Sequence, residues 1–223
     1  MLASETISIF KELVDDQSIS DTLALSLLNT TKTVVEEERD WKFLFTKDTS
    51  LTFLTSEDYT DAKTLPTDFS SEKKVNLVDS SNDEDVYLPI DYADLLQYKD
   101  GSARYAIDYL NQKMYFCGTV ATNRTVHLFY QKYTADVAAV GDTLPWPRFN
   151  NLLPYRMAEI WLRGVDADSL TRLQWPAHRV AGDAVYSAMV RWDTKLQMKA
   201  MNNMAGFKTL GVSNQDNQID RSL

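Results

Sequence analysis

The chain has 223 residues, of which 44% are hydrophobic and 11% aromatic, and its formal net charge is −9. A chain of this length can bury one good core, or one core with a smaller satellite. No apolar run approaches the roughly 20 residues that span a bilayer, so no transmembrane helix is expected. The single cysteine, Cys117, excludes an internal disulfide and predicts a protein made in a reducing cytosol.

The charge is unevenly distributed along the chain. Residues 1–147 hold 13 Lys and Arg against 25 Asp and Glu, a net of −12, whereas residues 148–223 hold 10 against 7, a net of +3. A solvated acidic surface explains this balance, and two ends that face different partners explain it equally well. In both cases the acidic bulk repels phosphate, so the composition does not indicate a protein that grips nucleic acid.

The N-terminal third has the periodicity of α-helices. Ser4 is expected to cap a first helix, which ends before a break at residues 16–20. Ser20 or Asp21 is then expected to cap a longer helix, whose apolar positions continue close to a helical period as far as Trp41.

From Ser50 the apolar pattern changes from helical to alternating, which predicts β-strands. Tyr105, Ile107 and Tyr109 share one predicted strand face. Short turns without βαβ spacing favour an antiparallel sandwich or a small barrel. The predicted strands are residues 50–54, 74–79, 85–90, 104–110, 113–120 and 125–133, with a helical turn inserted at residues 90–101.

Helical periodicity returns after residue 147. Pro176 is placed to start a last, long helix, and Gly206 to end it. The apolar positions are Tyr155, Ala158, Leu162 and Val165 in the first C-terminal helix, and Val185, Met189, Trp192, Leu196, Ala200 and Met204 in the last. Beyond them the sequence is polar and without pattern, as in tails that fold only on a partner.

The predicted fold is α+β, in three parts. Residues 1–49 and 148–205 form an α-helical bundle, because neither helical part is long enough to form a core alone. Residues 50–147 form an inserted antiparallel β-sandwich or barrel module. Residues 206–223 form a flexible C-terminal tail.

The residue types that carry catalysis or bind metals are present without a productive pattern. Residues 79–85, DSSNDED, begin like a calcium loop but lack its glycine and distal glutamate, which favours a charged loop between strands. His127 and His178 have no metal ligand at a suitable spacing, and Cys117 is expected to be a buried small hydrophobe. Glycine-rich nucleotide motifs and a serine elbow are absent from the sequence. We therefore expect no enzymatic activity, no cofactor and no metal.

The segment Leu65-Pro66-Thr67-Asp68-Phe69 is expected to be a structural corner. Pro66 disfavours helix at the preceding residue, and Asp68 can bond the local backbone. Phe69 can anchor the corner where a strand begins. An active-site edge would need a nucleophile or base nearby, and the sequence has none there.

The order of the motifs carries more information than any one of them. The LPTDF turn precedes a strand, and GSARYAIDYLNQKMYFCGTVATNRTVHLFYQKY then provides a Tyr-x-Ile strand, a turn and a strand that ends in paired aromatics. The loop TLPWP and the helix LLPYRMAEIWLRGVD follow. Over residues 20–205 this order resembles the head-to-tail adaptor, or connector, proteins of tailed bacteriophages.

The resemblance implies a helical bundle with a β insertion and a dodecameric ring below the portal protein. DNA passes through such a ring without specific binding, and a tail nozzle, hub or tail-terminator protein attaches to its other side. It implies assembly in the host cytoplasm, a place at the portal vertex of the virion, no catalytic residues and no membrane partner. This chain departs from the family in its longer, more acidic insertion around residues 79–101 and in its tail with few hydrophobic residues.

The resemblance also implies that the C-terminal segment docks onto the portal. Basic residues there suit an acidic portal surface, and methionines adapt to a contact. A frayed terminus without a role is the alternative. The expected portal-docking residues are Arg191, Lys195, Lys199, Met201, Met204, Phe207 and Lys208.

Two other functions are compatible with the residues. A β-sandwich with surface aromatics suits a tail-associated protein that binds a receptor or a carbohydrate, and this protein would be a monomer or trimer rather than a large ring. A cell-wall hydrolase needs only two carboxylates that face a cleft. It would degrade peptidoglycan and lose that activity when one carboxylate is replaced.

Overall fold

The computed structural model describes residues 1–101, 103–164 and 174–209, with side chains described up to Lys199 in the last helix. These residues form α-helices and a curled sheet that is mainly antiparallel, which confirms the predicted mixture of the two. The helices are α1 (Ala3–Leu13), α2 (Asp21–Glu37), α3 (Leu152–Gly164) and α4 (Trp175–Thr209). The strands are β1 (Phe45–Asp48), β2 (Thr52–Phe53), β3 (Lys63–Thr64), β4 (Phe69–Val78), β5 (Glu84–Ile90), β6 (Arg104–Asp108), β7 (Lys113–Phe116) and β8 (Arg124–Lys132).

The described chain separates into two compact units. The helical unit contains Met1–Lys32 together with the described residues from Val137 onward, and the sheet unit is Thr33–Asp136. The sequence-based division after residues 49 and 147 stays a prediction.

The two N-terminal helices begin differently from each other. Leu2, and not Ser4, precedes α1, and the Glu5 carboxylate accepts the Leu2 N–H at 2.8 Å. The predicted cap at Ser4 is wrong because that residue is already helical and donates its N–H to the Val140 carbonyl. The Ser20 cap of α2 is confirmed, since its hydroxyl accepts a backbone N–H of the first turn at 3.3 Å.

Helices α1 and α3 pack against each other in the helical unit. The Phe10 and Trp161 rings meet edge to face, with centroids 6.2 Å apart. Met157 and Ala158 of α3 are fully buried. Leu162 of the predicted apolar face is buried as well, whereas Val165 lies outside the described residues. Apolar contact therefore holds these helices together, as the sequence periodicity indicated.

The sheet runs in the order β1-β8-β4-β5-β6-β7-β3, with β2 also paired to β8. All pairs are antiparallel except β5 and β6, which are parallel. The prediction of an entirely antiparallel module is wrong for this pair. The connection between the two strands contains the helical turn Tyr92–Asp94, which the Asp91 carboxylate caps by accepting the Ala93 N–H at 2.9 Å. The turn was predicted, but its effect on strand direction was not.

Phe116 is at the centre of the sheet core. It is fully buried, stacks on Phe53 at a centroid distance of 5.0 Å and meets the edge of Tyr87 at 5.7 Å. The inward positions of β8 are buried as well: Val126 and Leu128 are fully enclosed. The core consists of Phe53, Leu65, Phe69, Val75, Leu77, Tyr87, Tyr105, Ile107, Met114, Phe116, Val126, Leu128 and Tyr130.

The LPTDF segment is a structural corner, as predicted. The Phe69 N–H bonds the Pro66 carbonyl at 3.1 Å, and Phe69 is buried where β4 begins. The Asp68 carboxylate accepts the Tyr130 hydroxyl at 2.8 Å rather than a local N–H. That hydrogen bond links the corner to the neighbouring strand, β8.

Candidate functional site

The sequence places its candidate site on α4, whose first half is fixed by a charged contact with α3. Arg156 bonds Glu159 at 2.8 Å within α3 and reaches Asp183 of α4 at 3.0 Å. The Arg163 guanidinium lies over the Trp175 ring at 4.6 Å. Glu159 is buried, whereas the Asp183 side chain is 50% exposed, so the ion pair between α3 and α4 is open to water and helps to orient α4 on α3.

Beyond this contact, α4 buries few side chains. Between Trp175 and Lys199 the buried residues are Gly182, Met189 and Asp193. Trp192 is half-buried and contacts the Phe149 ring at 5.8 Å. The predicted apolar stripe of the last helix is therefore only partly buried within the described residues.

Three predicted docking residues share one exposed face of α4. Arg191, Lys195 and Lys199 are spaced by four residues, which places them in one row along the helix. All three are exposed, and none of them has an ion-pair partner among the described carboxylates. We call these three residues the basic face. The neighbouring Met198 is 58% exposed.

The remaining docking residues continue along the same helix. The backbone is helical at all four of them, but their side chains lie outside the described part of the chain: Met201, Met204, Phe207 and Lys208. Gly206 was expected to end the helix, and this is wrong, because the helix passes through Gly206 and ends at Thr209. Residues 210–223 of the predicted tail lie outside the described part of the chain.

The structure also places the cysteine and one of the histidines singled out in the sequence. No group of His, Cys, Asp and Glu side chains in the described ranges is arranged to hold a metal ion. Cys117 is 1% exposed, and burial raises the pKa of its thiol, as expected for a small core residue. The His127 Nδ1 atom lies 3.5 Å from the Glu84 carboxylate.

The acidic loop at residues 79–83 is held by the hydrogen bonds and the ion pair of one carboxylate. Asp79 accepts the Ser81 N–H at 2.8 Å and the Asp83 N–H at 3.0 Å, and it pairs with Arg124 at 3.1 Å. The Asp83 N–H, followed by the Ser81 N–H and Arg124, lowers the pKa of Asp79. The prediction of a charged loop between two strands is confirmed.

Replacing Asp79 by asparagine should reduce stability at neutral pH but not in strong acid. Asp79 has a folded-state pKa below its ordinary 3.8, so its contribution is present above that pH and is lost as the pH falls through the lower value. The difference in Tm between wild type and Asp79→Asn should therefore shrink towards pH 2. Thermal melts followed by circular dichroism measure it, with Asp94→Asn as the matched loss of an exposed carboxylate. A difference that stays constant from neutral pH to pH 2 would contradict the assignment.

Comparison with known proteins does not place the chain in a family. A scan against protein-family models finds no match, and a search of curated proteins finds no similar sequence. None of the described helices combines the length and apolar character that crossing a bilayer requires.

Proposed function

We propose that the chain is a structural virion protein, a head-to-tail adaptor of a tailed bacteriophage. In this proposal it binds the portal protein as a dodecameric ring, extends the DNA channel and provides the attachment site for the tail. The architecture that goes with it is a helical bundle with an inserted β module. The order of the LPTDF turn, the Tyr-x-Ile strand, the TLPWP loop and the helix after it supports the proposal.

The observation that carries the proposal is the basic face of α4. Arg191, Lys195 and Lys199 are exposed, lie in one row and have no ion-pair partner among the described residues. A row of unpaired cations at the end of a chain whose first 147 residues carry a net of −12 is suited to an acidic partner surface. Complementary charge speeds encounter and fixes orientation, and the exposed Met198 supplies adaptable apolar contact.

The acidic part of the chain has a complementary role in this proposal. A ring that passes DNA must not retain it, and carboxylates that line a passage repel phosphate. Residues 1–147 carry the excess of 25 Asp and Glu over 13 Lys and Arg. Such a ring needs neither a cofactor nor a catalytic residue, so we propose no enzymatic activity.

A charge reversal on the basic face tests the proposal. Lys195→Glu/Lys199→Glu should reduce retention on DNA-filled heads that lack this protein by at least about tenfold, because two attractive contacts become repulsive. Lys74→Glu/Lys99→Glu changes the net charge equally at exposed lysines of the sheet unit and serves as the matched control. Co-sedimentation of labelled protein with the heads measures retention. Equal retention of the two double variants would overturn the role of α4.

A further inference from the structure

A cavity in the sheet unit offers a second candidate site, unrelated to α4. It has a volume of about 210 Å³ and is lined by residues of β4, of the end of β5 and the helical turn after it, and of β6 with the turn that follows. Its polar lining consists of Glu72, Asp91, Tyr92, Tyr105 and Tyr109, with Ile90 and Ile107 among its apolar residues. We call this cavity the tyrosine pocket.

Tyr105 is the most informative residue of the tyrosine pocket. It is only 2% exposed, and its hydroxyl makes no hydrogen bond with any described residue. Burial, with the nearby charge of Glu72, raises the pKa of Tyr105, so the hydroxyl stays protonated at neutral pH. Because Tyr105 lines the pocket and its hydroxyl has no bond to a described residue, a molecule that enters the pocket can form a hydrogen bond with it.

The charge of the tyrosine pocket indicates what that molecule carries. The Glu72 carboxylate accepts the Tyr109 hydroxyl, and the Asp91 carboxylate accepts one backbone N–H at 2.9 Å. The described residues contribute no lysine or arginine to the lining, and neither carboxylate has an ion pair with a described cation. The lining is therefore complementary to a cation.

We propose that the tyrosine pocket binds an alkylammonium group, carried either by a free polyamine or by a lysine side chain of another protein. Its N–H groups would donate to Glu72, to Asp91 and to the Tyr105 hydroxyl oxygen. A quaternary ammonium has no N–H for these acceptors. A sugar presents acceptors as well as donors, and the hydroxyls of the tyrosines are the only side-chain donors that the described lining offers. The inference goes beyond the adaptor function and does not depend on it.

Isothermal titration calorimetry on the full chain tests the site with four probes. Putrescine represents the free amine and Nα-acetyl-lysine amide the lysine side chain, while tetramethylammonium and glucose represent the excluded chemistries. We expect one or both amines to bind, and tetramethylammonium and glucose to bind at least about tenfold more weakly, because charge-assisted hydrogen bonds are lost.

Two variants locate the binding in the tyrosine pocket. Glu72→Gln removes the charge and Tyr105→Phe removes only the free hydroxyl, and each should weaken amine binding by about tenfold. Glu12→Gln removes one exposed carboxylate of the helical unit and should leave binding unchanged. If Glu72→Gln fails to fold, as judged by circular dichroism, Tyr105→Phe alone decides. Amines that bind the pocket variants as well as wild type, glucose that binds in place of the amines, or no binding of either amine would overturn the proposal.

Discussion

Phe116→Ala should destabilise the sheet unit by about 3–5 kcal/mol, the usual cost of removing a fully buried aromatic side chain. Phe116 is fully buried, and its ring contacts both Phe53 and Tyr87. The variant therefore leaves a cavity with aromatic walls, which a sheet tied by backbone hydrogen bonds cannot close. In a domain of about 100 residues each kcal/mol lowers the Tm by roughly 4–8 °C, so we expect a fall of more than about 12 °C.

Leu110→Ala is the matched control for this prediction. Leu110 belongs to the same unit but is 91% exposed, so its truncation should change stability by less than about 0.5 kcal/mol. Urea unfolding followed by circular dichroism gives both free energies of unfolding. If the two variants had similar stability, Phe116 would not be the centre of the core.

The pattern of apolar residues predicts six of the eight described strands and, for β6 and β8, which residues share a face. Val126 and Leu128 alternate with polar residues in β8, and both are fully buried. Tyr105 and Ile107 of β6 are buried for the same reason. Tyr109 continues that alternation in the sequence but is 51% exposed, because β6 ends at Asp108 and the chain turns there.

Features set by long-range pairing could not be predicted. β1 and β3 are four and two residues long, and they exist as strands only because β8 and β7 pair with them. The parallel pairing of β5 with β6 follows from where the connection returns the chain, which local periodicity does not specify. The cap of α1 was misplaced for a similar reason, since the Val140 carbonyl is distant in sequence.

The candidate sites differ in how far the sequence revealed them. The basic face is visible in the sequence, because Arg191, Lys195 and Lys199 are spaced by four within a helical period. The tyrosine pocket is not, because its residues come from three segments that the sheet brings together. Tyr92 lies in the predicted helical turn and Tyr105 on a predicted strand face, and the pairing of β5 with β6 places them around one cavity.

Under the proposed adaptor function, truncation after Gly206 should leave the chain folded but abolish its retention on DNA-filled heads. The buried residues of α4 within its described part, Gly182, Met189 and Asp193, all precede the cut, so the Tm should not change. The sequence of residues 207–223 is mostly polar, which predicts a segment that needs a partner, in the proposed function the portal, to bury enough apolar surface to fold. The contact would be repeated in every subunit of a ring, so truncation removes its binding free energy from every subunit at once. We therefore expect retention to fall by at least about a hundredfold.

A variant in which the order of residues 207–223 is scrambled tests whether docking depends on the sequence of this segment or only on its length and charge. It keeps the composition of the segment, including Lys208 and Arg221, and should fail on the heads as the truncated chain does. Melting curves of all three proteins should coincide, which excludes unfolding as the cause of failure. Lys195→Glu/Lys199→Glu slows encounter through the basic face, so this double variant should recover retention at higher protein concentration. Truncation removes the folded contact itself, so the truncated chain should not recover. Truncated protein that completes infectious particles at the wild-type yield would show that the segment is not the dock.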